Sequence, residues 1–212
     1  MGIILDMILF LSYEALSGLI PLFLVFMIVH KAQKRNKAAF SRYHFLAVLI
    51  FALYIIGVFY FTGVGTLYDG LKYQLELRQD QINFIPFSHD IDITGYLLNI
   101  VLFIPFGLLT PVIWTKMNKL TNILGAGFLF TILIEVSQLL NNRATDIDDV
   151  ILNLFGAVIG FGLYKILDPY TRFKPQIDSP FVYELPICII AAFLGRFLFY
   201  DEMGLAKLLY RF

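Results

Sequence analysis

Residues 120–167 read LTNILGAGFLFTILIEVSQLLNNRATDIDDVILNLFGAVIGFGLYKIL. Two apolar runs flank a short polar junction, and each run meets the length needed to cross hydrocarbon as a helix, about 17–25 residues. A bilayer offers the backbone no water, so such a run is read as a helix whose hydrogen bonds are all internal. The junction, from Glu135 to Asn153, holds five ionisable side chains and several amides. An ionisable group costs roughly 2.5–3.5 kcal/mol to insert at a helix centre, and less near the interface. So many at one boundary point to a built feature.

The same apolar pattern recurs along the chain, at about 3–29, 45–61, 95–114, 120–140, 150–167 and 182–200. The expected fold is an all-α polytopic bundle of about six transmembrane spans, forming a single membrane domain over residues 1–212. Composition agrees: 59% of residues are hydrophobic and 15% charged, against about 45–50% and about 25% in soluble domains. The formal net charge is zero, so nothing in the balance suggests a nucleic-acid partner. The sole cysteine, Cys188, sits among Ile187, Ile189 and Ile190. It excludes an internal disulfide framework and reads as apolar filler.

Lysine and arginine set the orientation. Lys31, Lys34, Arg35, Lys37, Arg42, Lys116, Lys119, Lys165, Arg172 and Lys174 all fall on one side of this six-span scheme. The positive-inside rule makes that side cytoplasmic and both termini extracytoplasmic. The long second loop, residues 62–94, contains Tyr68 to Arg78, which suits a short amphipathic helix on the outer leaflet. The following Ile-Asn-Phe-Ile-Pro-Phe at 82–87 is too short to span, and it reads as an interfacial or re-entrant turn.

Depth follows from the helical rise of about 1.5 Å per residue. Asn99, Glu135, Gln138 and Asn153 all fall roughly 3–8 Å below the outer boundary on that scale. Groups at one depth can meet if the third, fourth and fifth spans pack together. Glu135 and Gln138 are spaced i, i+3, and Asp146, Asp149 and Asn153 form an i, i+3, i+7 stripe. Thr145 or Asp146 is placed to cap the fifth span, whose N-terminus favours anions, with Arg143 adding a full positive charge.

Three readings fit these residues. Glu135 pairs with Arg143 and the amides cross-link helices, a purely structural role. Alternatively Asn99, Glu135, Gln138, Arg143, Asp146, Asp149 and Asn153 bind a lipid or amphiphile head group. Or the cluster is an intramembrane catalytic site on a phospho- or glycolipid, with Glu135 or Asp149 as general base. Catalysis has little else behind it, because His89 is the sole histidine nearby and no serine stands beside a base. No resident cofactor or protein-held metal is expected, although oxygen groups of this kind also suit a divalent cation. The expected partners are membrane lipids or lipid-linked envelope molecules.

Elsewhere, Pro105 and Gly107 interrupt the third span, and Gly156 with Gly160 offers a small-residue face for close helix packing within the chain. Gly125 and Gly127 suggest a similar face on the fourth span. Glu14 lies inside the first span, either lining the cavity or bonding a neighbouring helix. Arg196, in the last span, is expected to snorkel outward. The phenylalanines read as lipid-facing filler, with Trp114 and Tyr200 as interface anchors.

One resemblance draws several of these residues together. Asn83-Phe-Ile-Pro-Phe, then Asn99, Phe103, Pro105, Gly107 and Pro111, then Glu135, Gln138, Arg143, Asp146, Asp149, Asn153 and Gly156, resemble the VanZ-like family of bacterial membrane proteins in order and spacing. The likeness covers about residues 82–165, flanked by two N-terminal spans and one C-terminal span. It implies a role at the cell envelope. The family's namesake is associated with low-level resistance to teicoplanin, a lipid-tailed glycopeptide antibiotic, in Gram-positive bacteria. Such an antibiotic and lipid-linked cell-wall precursors both present their heads at the outer leaflet, where the cluster is expected. A non-catalytic assembly or scaffold subunit is the remaining alternative.

Overall fold

A computed structural model of the chain describes residues 12–27, 42–73, 81–88, 92–169 and 183–200. Their order is α1 (Ser12–Met27), α2 (Arg42–Thr62), α3 (Leu67–Lys72), β1 (Ile82–Asn83), α4 (Ile93–Ile113), α5 (Leu120–Gln138), β2 (Thr145–Asp146), α6 (Ile147–Leu167) and α7 (Glu184–Phe199). Four stretches are long and apolar enough to cross a membrane: Tyr43–Lys72, Ile93–Ile113, Leu120–Asn141 and Ile147–Leu167. Among the described residues α1 is a shorter apolar helix, and α7 has 16 residues. Six full spans are therefore not established.

Contacts at the helix ends show the long helices alternating in direction along the chain, which leaves α4 and α6 parallel. At one end Trp114, just past α4, donates from Nε1 to Glu184 Oε2 at 2.8 Å, and His44 Nε2 meets the same oxygen at 2.8 Å. At the other end Asn99 of α4 reaches Asp149 of α6, and Gln138 of α5 reaches the Thr62 carbonyl of α2. Arg196, near the end of α7, pairs with Glu14 of α1 at that same end. Tyr200 stacks on Tyr13 at a centroid distance of 5.4 Å, so both outermost described segments finish beside the polar residues. The first and last residues of the chain lie outside the described set.

Three of these groups depart from the sequence-based expectation. Arg196 is turned inward, donating to Glu14 at 2.8 Å and to the Val64 carbonyl. Trp114 and Tyr200 are buried instead of anchoring at the interface. In each case a polar or aromatic partner on a neighbouring helix holds the side chain within the bundle. Of the expected amphipathic helix, Leu67–Lys72 is helical, opened by a capping box in which Thr66 and Asp69 bond reciprocally. Residues 74–80 and His89 lie outside the described residues.

The core is aromatic. Phe51, Phe59, Phe103, Phe106 and Phe130 are fully buried and interlock, with Phe103–Phe130 centroids at 5.4 Å and Phe106–Phe130 at 5.5 Å. Lipid-facing filler describes other phenylalanines, such as Phe61 and Phe155, but not these five. A helix apolar on every side leaves no stripe in the sequence to tell core from lipid face.

The tightest packing joins α4 to α6. A Cβ built on Gly107, Gly156 or Gly160 would lie 1.9, 2.2 or 2.0 Å from the carbonyl oxygens of Ala157, Ile100 and Ile104 respectively. These backbones touch because the three glycines carry no side chain. Gly125 has nothing within 4 Å of its would-be Cβ, so the expected small-residue face on α5 reduces to Gly127. Helix α4 continues through Pro105 and Pro111, and the Tyr54 hydroxyl donates to the Leu102 carbonyl at 2.8 Å beside the first proline.

Candidate functional site

The N-terminus of α6 organises the polar cluster. Asp146 is its N-cap, accepting from the Asp148 amide at 3.0 Å, as short polar side chains do at helix starts. Thr145 instead donates its hydroxyl to the Glu135 carbonyl at 2.9 Å, and the Asp146 amide donates to Glu135 Oε2 at 3.2 Å. The end of α5 and the start of α6 are thus stitched together over a tight turn. Asn142 makes that turn with φ of 61°, in the left-handed region. The Arg143 amide then reaches back to the Gln138 carbonyl at 3.2 Å, closing α5 as a C-cap motif does.

Asp149, one turn into α6, accepts from Asn99 Nδ2 at 2.6 Å. The glycine contacts between α4 and α6 bring these two groups together. Asp146 and Asp149 lie within electrostatic reach of Glu135, which is almost fully buried. Below them Asn153 donates to Thr131 Oγ1 at 2.8 Å, while its Oδ1 is buried without a hydrogen-bond partner. Thr131 and Asn153 stand four residues before Glu135 and four after Asp149, so the two pairs form successive layers between α5 and α6.

Loop 81–88 closes one side. Its strand β1 pairs in parallel with β2, Ile82 opposite Thr145 and Asn83 opposite Asp146. Asn83 Nδ2 donates to both Asp146 carboxylate oxygens, at 3.2 and 3.3 Å. Its Oδ1 accepts from the Ile85 amide at 3.1 Å and from Ser88 Oγ at 3.2 Å. Asp148 binds the other end of the loop, accepting from the Phe87 amide at 2.8 Å and from the Tyr96 hydroxyl at 2.7 Å.

Of the seven residues expected from sequence, five gather here: Asn99, Glu135, Asp146, Asp149 and Asn153. Gln138 and Arg143 belong to a neighbouring group. Both donate to the Thr62 carbonyl at 2.6 Å, and Asn141 donates to the Gly63 carbonyl at 2.8 Å. Helix α2 ends in a Schellman motif, with Val64 N bonded to Phe59 O and Gly63 N to Tyr60 O. The added donors meet the negative end of its dipole. Gly63 has φ of 63°, and any Cβ there would strike the Arg143 guanidinium. Arg143 caps a helix, in place of the bond to Glu135 that the purely structural reading supposes.

Asn83, Asp148 and Tyr96 are the members that reading by depth did not select. Asn83 stands in the family-like Asn-Phe-Ile-Pro-Phe string, which was its signal. Among the described residues, none of Glu135, Asp146, Asp148 and Asp149 forms an ion pair; the pairs present are His44–Glu184 and Arg196–Glu14. No group of three or more His, Cys, Asp or Glu among the described residues is disposed to hold a metal ion. The hydrogen bonds to these four carboxylates come from neutral donors, and Arg143 reaches Asp149 only electrostatically.

Asn83 is the hinge of this arrangement. Asn83→Ala removes four hydrogen bonds at once while leaving the helices intact. The expected result is faster amide exchange over 82–88 with unchanged protection in α4, α5 and α6, read by hydrogen–deuterium exchange. Equal protection of the loop in both proteins would contradict it.

The order of these residues along four elements matches one known family. The VanZ/LLP1 family profile matches residues 45–168, more than half of the chain. The chain belongs to the VanZ/LLP1 family. The match takes in α2 as well as the motif-bearing stretch from β1 to α6, while α1 and α7 lie outside it. No curated protein and no solved structure matches the chain.

Proposed function

We propose that this VanZ/LLP1 protein binds the polar head of a membrane amphiphile at the Asn99–Asp149 end of the bundle, and thereby modulates cell-envelope chemistry and susceptibility to lipid-tailed glycopeptides of the teicoplanin type. The observation that carries this reading is the Asn99–Asp149 contact at 2.6 Å, set beside Glu135 and Asp146, none of the three carboxylates forming a salt bridge. Carboxylates that form no ion pair, with Arg143 acting on Asp149 only at longer range, favour a ligand that brings hydroxyl or ammonium groups. The unpaired Oδ1 of Asn153 adds a buried acceptor in the next layer. The positive-inside bias of the loops supports an extracytoplasmic position for this end, where lipid-linked envelope molecules carry their heads.

Native mass spectrometry of protein purified in mild detergent tests the proposal. The wild type is expected to carry a co-purifying lipid or lipid-linked sugar, and Asp149→Asn, which keeps the side-chain shape, is expected to lose it. Teicoplanin susceptibility of a host strain should shift with the wild-type protein and revert with Asp149→Asn. Identical adducts on both proteins would remove the support for a head-group site here.

A further inference from the structure

Four large apolar side chains, Ile82, Phe84, Ile85 and Phe87, project from a loop that is otherwise tied inward. Phe84 is 76% exposed, Ile85 68% and Phe87 55%. Loops of soluble proteins seldom present so much contiguous apolar surface, and where they do it marks a contact with a partner or a membrane. Asn83 alone among these neighbours turns its side chain inward, to Asp146. We propose that residues 84–87 are inserted into the acyl layer of the adjoining leaflet as a fixed wedge, with bilayer lipid as their partner.

Backbone chemistry separates this from simple exposure. A segment entering a layer without water must bring its amide hydrogens already bonded. Ile85 N–H is taken by Asn83 Oδ1, Phe87 N–H by Asp148 Oδ1, and Pro86 has none to satisfy. Residues 85–87 thus carry no free backbone donor. Phe87 holds φ of 54°, an unfavourable region for a phenylalanine. The Asp148 bond and an edge contact to the Tyr96 ring at 6.0 Å accompany that conformation. Ile93, Leu97, Leu98 and Val101 are also exposed on α4, a helix long and apolar enough to span. The Phe87–Tyr96 contact sets the loop against the start of that helix.

This contact stands whether or not the neighbouring carboxylates bind a ligand. Phe84→Trp and Phe87→Trp, each in a Trp114→Phe background, serve as depth probes in vesicles of phosphatidylcholine brominated on the acyl chains. Brominated lipid is expected to quench most of the new emission, and aqueous iodide little of it. Because Trp114→Phe removes the bond to Glu184, the same single substitutions with Trp114 retained, read as the difference from wild type, provide a second measurement. Quenching by iodide and not by bromine would overturn the proposal, leaving the loop in water. Shielding from both quenchers would also overturn it, in favour of a protein surface covering the loop.

Discussion

Gly160→Ala is expected to unfold the α4–α6 contact and to release the polar cluster with it. One methyl group at this position would sit 2.0 Å from the Ile104 carbonyl oxygen and 2.9 Å from the Leu108 amide nitrogen. Both are backbone atoms, so no side chain can swing aside. The helices must part by something on the order of 1 Å, and a close-packed interior gives up dispersion contacts along its whole length when it does so. Overpacking of this kind costs roughly 1–3 kcal/mol where side chains can adjust, and here the clash is with the main chain. Gly156→Ala meets the Ile100 carbonyl at 2.2 Å and should behave alike. Gly162→Ala is the internal comparison, because nothing lies within 4 Å of its Cβ position on the same helix. It should be neutral or gain up to about 1 kcal/mol from the loss of glycine's unfolded-state freedom. Thermal unfolding in detergent measures the contrast. Equal stability of Gly160→Ala and Gly162→Ala would show that the two helices do not touch as described.

Spacing of Gly156 and Gly160 announced a close helix face, and the partner proved to be α4, through Gly107 on its own face. Apolar run length located four helices within a few residues, since the bilayer imposes the length directly. The expected 45–61 and 150–167 became Arg42–Thr62 and Ile147–Leu167, extended at their starts by polar residues that a hydropathy scale discards. Depth along the helices sets Asn99, Glu135, Gln138 and Asn153 at one level, but Asn99 meets Asp149, one turn before Asn153 on the α6 stripe, while Asn153 meets Thr131.

Rotation about the helix axis was not legible. Glu135 and Gln138 are about 60° apart around α5 at 3.6 residues per turn. That offset is enough for Glu135 to face α6 while Gln138 reaches the end of α2. In an amphipathic helix a polar stripe would have given the direction, but these helices are apolar nearly all round. The pairing of Asn83 with Asp146 was hidden for a different reason. It depends on a two-residue parallel bridge between segments more than 60 positions apart, and a strand that short leaves no period to recognise. The family-like order of motifs preserved what local patterns could not show, which is why Asn83 was visible there and not in the depth argument.

Arg196→Met is expected to be the most damaging single change outside the family-matched region. The guanidinium is buried, bonded to Glu14 at 2.8 Å and to the Val64 carbonyl, with its centre 5.0 Å from the Tyr200 ring. Removing one member of a buried pair strands the other charge, at a cost of roughly 3–5 kcal/mol. Glu14→Gln should be milder, because an amide oxygen can still accept from Arg196. The double change Glu14→Leu with Arg196→Met removes both charges and should recover most of the loss, as replacement of buried ion pairs by apolar groups often does. Recovery should stop short of wild type, since the Val64 carbonyl then loses its donor, worth about 1 kcal/mol. A double mutant no more stable than Arg196→Met alone would mean that the carbonyl bond matters more than the ion pair. Val64 follows directly on the Thr62 and Gly63 carbonyls held by Gln138, Arg143 and Asn141. Loss of Arg196 therefore loosens the same turn that the residues after α5 grip from the other side. Amide exchange at 62–66 should rise in Arg196→Met before the α4–α6 helices lose protection, because those helices are joined by backbone contacts that Arg196 does not touch.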